Sequence, residues 1–166
     1  MKFSDFLKKV EESPEFKKFK QEHKKAYLCA GFFVLDFEAN KNMYQIDFFL
    51  PEKKRMATFL IDEEIRMKLS EIMKVKKQAV ENLTGKIKID LQSLKGIVEN
   101  EMKNRAITQE IKKIIAVLQS QKGKNIWLLN CITSKLDLLK LKISDADSGI
   151  LEFEKASFFD FIRRIK

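Results

Sequence analysis

The residues of this chain with any capacity for chemistry are few: one histidine, two cysteines and a scatter of acids on predicted strands. His23 is the only histidine, so zinc sites built on several histidines and two-histidine iron sites are excluded within one chain. Any Ser-His-Asp or Cys-His arrangement must use it, yet it stands beside Glu22 in a lysine-rich helical stretch and reads as a partly exposed helical residue. The run Asp145-Ala-Asp147-Ser-Gly149 opens like a calcium loop. It then departs from one, with Ile150 where the loop needs glycine and Ala156 where it needs a bidentate glutamate. A tight turn explains the same residues: Asp and Ser bond nearby backbone amides, and Gly149 permits positive φ. Asp36, Glu38, Asp47, Glu152 and Glu154 lie on predicted strands. A general acid–base pair needs one desolvated carboxylate and one solvated, whereas alternation directs most of these to water. No Walker loop and no dinucleotide glycine pattern occurs. The expectation is a non-enzyme without metal or cofactor.

Charge offers a second kind of chemistry. The net charge of +9 concentrates on residues 63–125, which are read as mostly helical and carry +6, while the predicted strands of the first half are near neutral. Lys74, Lys76, Lys77, Lys86 and Lys88 form the densest basic cluster, and a basic face attracts nucleic acid. No aromatic residue interleaves them for base stacking, and Glu63, Glu64, Glu71 and Glu81 dilute the field. Nucleic-acid association through the basic helices of 63–125 is therefore the alternative, and solvation of exposed helix faces the simpler reading. Cys29 and Cys131 sit among apolar residues and read as buried reduced thiols more readily than as a disulfide. No secretory signal is visible at the N-terminus, and the longest apolar run, residues 26–35, is too short to span a bilayer. A cytoplasmic protein is expected.

These groups need elements to position them. Ser4 is read as the cap of a first turn carrying Phe6, Leu7 and Val10, and Ser13-Pro14-Glu15 as a stronger start: capping serine, proline at the first helical position, then an acid. A largely buried strand follows over 27–38, then alternating Tyr44, Ile46 and Phe48, and a third strand over 55–61. Ile65, Leu69, Ile72, Met73, Val80 and Leu83 trace a helical stripe over 62–84. Asp90 is read as capping a helix with Leu91, Leu94, Val98 and Met102 inward, and Thr108 another with Ile111, Ile114, Ile115 and Leu118 inward. Strands over 125–133, 139–144 and 150–154 come next, then a final helix capped by Ser157 that buries Phe158, Phe161, Ile162 and Ile165.

The run Lys142-Ile-Ser-Asp-Ala-Asp-Ser-Gly-Ile-Leu-Glu152 resembles the hairpin of PepSY-type domains, with Asp145, Ala146, Ser148 and Gly149 in the turn. The resemblance covers the last third of the chain. It implies a non-catalytic module, often paired in tandem and associated with binding or restraining peptidases. The pattern as a whole predicts an α+β protein in one compact globule. It comprises an α-β-β-β unit over 1–62, a helical connection over 63–107 and an α-β-β-β-α unit over 108–166, a pseudo-repeat with antiparallel sheets. The two sheets either join or face each other through the helices. The expected function is a binding or scaffold protein acting through protein or peptide contacts at sheet faces or edges, with a homodimer among its forms.

Overall fold

The computed structural model describes residues 2–71, 80–83 and 86–157. Two short helices, α1 (Phe3–Glu12) and α2 (Pro14–Glu22), precede four strands: β1 (Tyr27–Asp36), β2 (Met43–Leu50), β3 (Arg55–Ile61) and β4 (Ile65–Leu69). Helix α3 (Leu91–Asn104) then precedes β5 (Ile111–Gln121), β6 (Lys124–Thr133), β7 (Asp137–Ser144) and β8 (Ile150–Ser157). All eight strands form one sheet in the order β4-β3-β2-β1-β5-β6-β7-β8, and every neighbouring pair is antiparallel.

This overturns the expected pair of separate three-stranded units joined by a helical segment. Each run has four strands, and β1 pairs with β5 (Phe32 opposite Val117, Val34 opposite Ile115), so the sheet is continuous. The stretch 65–69 is strand because Ile65, Met67 and Leu69 alternate with Arg66 and Lys68. The i,i+4 spacing of Ile65 and Leu69 fits a helix equally well. In the same way Ile111, Ile114 and Leu118 have helical spacing but lie on one face of a strand, because a bulge between Ile111 and Lys113 shifts the alternation by one residue. Of the helix expected over 62–84, residues 72–79 and 84 lie outside the described residues, as does the helix expected to follow Ser157.

Among the described residues, three helices bury one face of the sheet. From α1 come Phe3, Phe6 and Val10, from α2 Phe16 and Phe19, and from α3 Leu91, Leu94, Val98 and Met102. They meet Phe33, Ile46, Phe48, Phe59, Ile114, Leu118, Trp127, Leu129 and Leu139 of the strands in one core. Ser13 caps α2 as its sequence requires, its Oγ accepting from Phe16 N–H at 3.2 Å. For α1 the expected Ser4 cap is replaced by Asp5, which accepts from Lys2 N–H at 2.9 Å. Among the described residues no helix is long and apolar enough to cross a membrane.

Candidate functional site

The acids and thiols singled out above are not brought together into a catalytic centre. Asp36 accepts from the backbone N–H groups of Ala39 and Glu38 and pairs with Lys113 at 3.6 Å, which lowers its pKa. Glu38 is exposed beside Lys112 at 3.8 Å. Asp47 is buried, which raises its pKa, while Thr58 Oγ1 at 2.8 Å and Gln45 Nε2 at 3.0 Å donate to its Oδ1 and pull the other way. Glu152 and Glu154 are exposed on β8. His23 ends α2 with its ring against Phe19 at 5.2 Å. Among the described residues no cluster of three or more His, Cys, Asp or Glu is placed to hold a metal ion.

The two cysteines are free and buried on opposite sides of the sheet. Cys131 belongs to the helix-covered core, and burial pushes its thiol up to about 12. Cys29 lies at the β1 bulge, donating to the Asp47 carbonyl at 3.4 Å, with its Sγ 3.1 Å from Met56 Sδ. Two sulfurs bound to one ion at about 2.3 Å each stand nearly 4 Å apart in tetrahedral geometry. This pair is therefore packed in direct contact, and burial keeps the Cys29 thiol protonated.

The basic cluster falls only in part among the described residues. Lys74, Lys76 and Lys77 lie outside the described residues, and Lys86 and Lys88 are exposed on an extended segment that runs into α3. Of residues 63–125 only α3 is helix among those described, and it carries Lys95, Glu99, Glu101 and Lys103 in balance. Lys95 covers the Phe37 ring at 4.6 Å, and Arg105, just beyond the helix, pairs with Glu101 at 2.9 Å.

The Asp145 turn has a role its spacing did not signal. Asp145 is 3% exposed, and its carboxylate accepts from Lys88 N–H (2.8 Å), Ile89 N–H (3.0 Å) and Trp127 Nε1–H (2.9 Å). It ties the segment entering α3 to the sheet. The local bond expected of the turn is made by Asp147, which accepts from Gly149 N–H at 2.9 Å, and Ser148 rather than Gly149 takes the positive φ, 60°. Glu81 is a second strut. It accepts from Lys122 and Gly123 N–H of the β5–β6 turn, both at 2.8 Å, which lowers its pKa.

What remains is the sheet face that none of the three described helices covers, the outer face, on which Cys29, Asp47 and Ile126 are buried. Pairing register places one residue of each strand in a single row across it: Arg66, Leu60, Gln45, Phe32, Val117, Leu128, Lys142, Glu152. The next row carries Met43, Val34, Ile115, Asn130, Lys140 and Glu154. Phe32, Val34, Ile115, Val117 and Leu128 are only half-buried, and Met43 is exposed. The centre of the outer face is thus apolar and its two lateral flanks are charged. Toward β8 it forms a depression of about 610 Å³ lined by Leu128, Asn130, Lys140, Lys142, Glu152 and Glu154. Sequence alternation marks each of these residues as strand surface; only the shared sheet assembles them.

No family model matches the chain, and no curated protein matches it. Its structure is similar to the crystal structure of a candidate lipoprotein from Clostridium difficile 630, with TM-score 0.54 and 14% identity, covering 86% of this chain and 90% of that one. At that identity the likeness is one of fold.

Proposed function

We propose that the chain is a non-catalytic protein-binding module that receives a partner protein on its outer sheet face. The observation that carries the reading is the apolar centre of that face, Phe32, Val34, Ile115, Val117 and Leu128, half-buried in contiguous rows with charged residues at both flanks. An apolar patch with a polar rim is the ordinary anatomy of a protein contact surface. The partnered acids and protonated thiols support a non-catalytic role, and the non-catalytic character implied by the PepSY-type hairpin agrees with it. Two buried unpaired thiols suit a reducing compartment, so the cytoplasm is the proposed location.

A photoreactive residue at position 117 tests the reading. Protein–protein cross-links are expected from Val117 and not from exposed Glu99 on α3. Equal yields from both positions would remove the outer face as the site. Turnover of nucleotides, esters or peptides by the purified protein, abolished by a single substitution, would remove the non-catalytic reading. The alternative, nucleic-acid association, is favoured by one observation, the adjacent exposure of Lys86 and Lys88. It requires salt-sensitive RNA or DNA binding that weakens when both become Glu.

A further inference from the structure

On the helix-covered side of the sheet a depression of about 470 Å³ opens where α3 ends. Small-molecule sites commonly measure ~300–1,000 Å³. Its walls come from three places: the turn after α3 with Arg105, Thr108 and Gln109, the β6–β7 turn with Lys135, and β8 with Phe153 and Lys155. Phe153 and Lys155 stand opposite the core residues Leu141 and Leu139, so the depression is separate from the outer face. Among the described residues three cations line it and no acid does.

Two of the three cations are held in place from behind. Arg105 lies over the Phe153 ring at 4.0 Å, and only its Nε is engaged by Glu101, at 2.9 Å. Lys155 is 3.5 Å from Asp137, whose carboxylate accepts from Gln109 Nε2 at 2.8 Å, and Gln109 in turn accepts from buried Thr133. Glu101 and Asp137 are 18% and 14% exposed, against 46% and 43% for Arg105 and Lys155. Each acid thus sits beneath its cation, and the cation faces the opening. Lys135 and the Thr108 hydroxyl engage no described residue. The end of α3 does not meet a negative guest with bare carbonyls. Met102 C=O accepts from Ile107 N–H and Lys103 C=O from Ala106 N–H, with Ala106 at φ 57°.

We propose that this depression binds a phosphoryl group, held among Arg105, Lys135 and Lys155 with the Thr108 hydroxyl as a further donor. A carboxylate offers two oxygens, and a single guanidinium fork satisfies both. Three cations on three separate segments suit a dianion with three outer oxygens. Glu101 and Asp137 fix two of the cations before any ligand arrives, which lowers the ordering cost of binding, and Lys135 is the charge left uncompensated. Ile107 gives the wall an apolar portion for an organic remainder. Lys86 and Lys88 take no part: they precede α3, whose 14 residues separate them from the depression by about 20 Å. The site stands independently of the protein-binding reading of the outer face.

Amide-resolved NMR titration of the full chain tests the proposal with inorganic phosphate, phenyl phosphate and benzoate as probes. The better of the two phosphates is expected to shift the amides of Arg105 to Gln109, Lys135 and Lys155 with a dissociation constant of about 1 mM or tighter. Tighter binding of phenyl phosphate assigns a phosphate monoester as the ligand class, and equal binding assigns free phosphate. Benzoate is expected to leave the same amides in place. Lys135→Glu is expected to weaken phosphate binding by about tenfold or more, and Lys86→Glu to leave it unchanged. Both lysines are exposed, and equal melting temperatures serve as the folding control. No shift of these amides at about 20 mM of either phosphate overturns the proposal. Equal losses from the two substitutions do so as well, since they mark a general charge effect. Benzoate binding as tightly as phenyl phosphate also overturns it, by making the site one for carboxylates.

Discussion

At the scale of single residues, the carboxylates of this chain divide by what surrounds them. Asp145 answers three N–H donors from two separate segments, so it is a buried bracket. Removing it strands those donors without acceptors. Asp145→Ala is expected to lower stability by about 2–4 kcal/mol, read by urea denaturation with Trp127 fluorescence as the probe. Asp47 behaves in the opposite sense. Burial raises its pKa above the ordinary 3.8, so below that value folded and unfolded states are both neutral and nothing is lost. As pH rises through and beyond 3.8 the unfolded carboxyl ionises first, and the folded state is progressively disfavoured. An Asn at this position keeps one oxygen to accept from Thr58 and Gln45. Asp47→Asn is therefore expected to melt a few degrees higher than wild type at pH 7 and at the same temperature near pH 3. A gain that persists unchanged at pH 3 would mean that desolvation of the charge is not its source.

At the scale of elements, the helices are placed by aromatic contacts that demand close approach. Phe3 of α1 meets Phe33 edge-on at 6.2 Å, over Gly31 of β1. A Cβ at Gly31 would stand 2.7 Å from Phe33 Cε2 and 3.0 Å from Phe3 Cε2, and Phe33 is fully buried and has nowhere to go. Gly31→Ala is expected to cost about 1–3 kcal/mol through displacement of α1, measurable as a loss of melting temperature with slowed or unchanged refolding. The sequence was legible here wherever element type follows from one clear period or cap. Ser13-Pro14 places the start of α2, the four apolar positions from Leu91 to Met102 place α3, and alternation places β2 and β7. It misled where two periods coincide: the β5 bulge gives a strand the apolar spacing of a helix, and five residues of β4 are too few to separate the two patterns. The β-branched run Ile114-Ile-Ala-Val117 was the signal that favoured strand.

At the scale of the whole molecule, one sheet replaces two because β1 and β5 each have an edge left over after their own hairpins form, and the two edges find each other. No local pattern encodes that pairing, since Ala30 and Gln119 are far apart in sequence. The outer face was illegible for the same reason: its rows cross all eight strands, and register between distant strands is a tertiary fact. Charge balance along the chain likewise concealed that Arg66 and Glu152 end a common row.

The seam between β1 and β5 has a consequence for synthesis. Every other strand pair is a neighbour in sequence and can close soon after its second strand is made. β1 completes at Asp36, but its second partner is complete only at Gln121. At about 5–20 residues per second, translation leaves that interval open for roughly 4–17 s. For those seconds the nascent chain carries an apolar ten-residue strand with a bare hydrogen-bonding edge, the point at which folding of this protein is most exposed to a wrong partner.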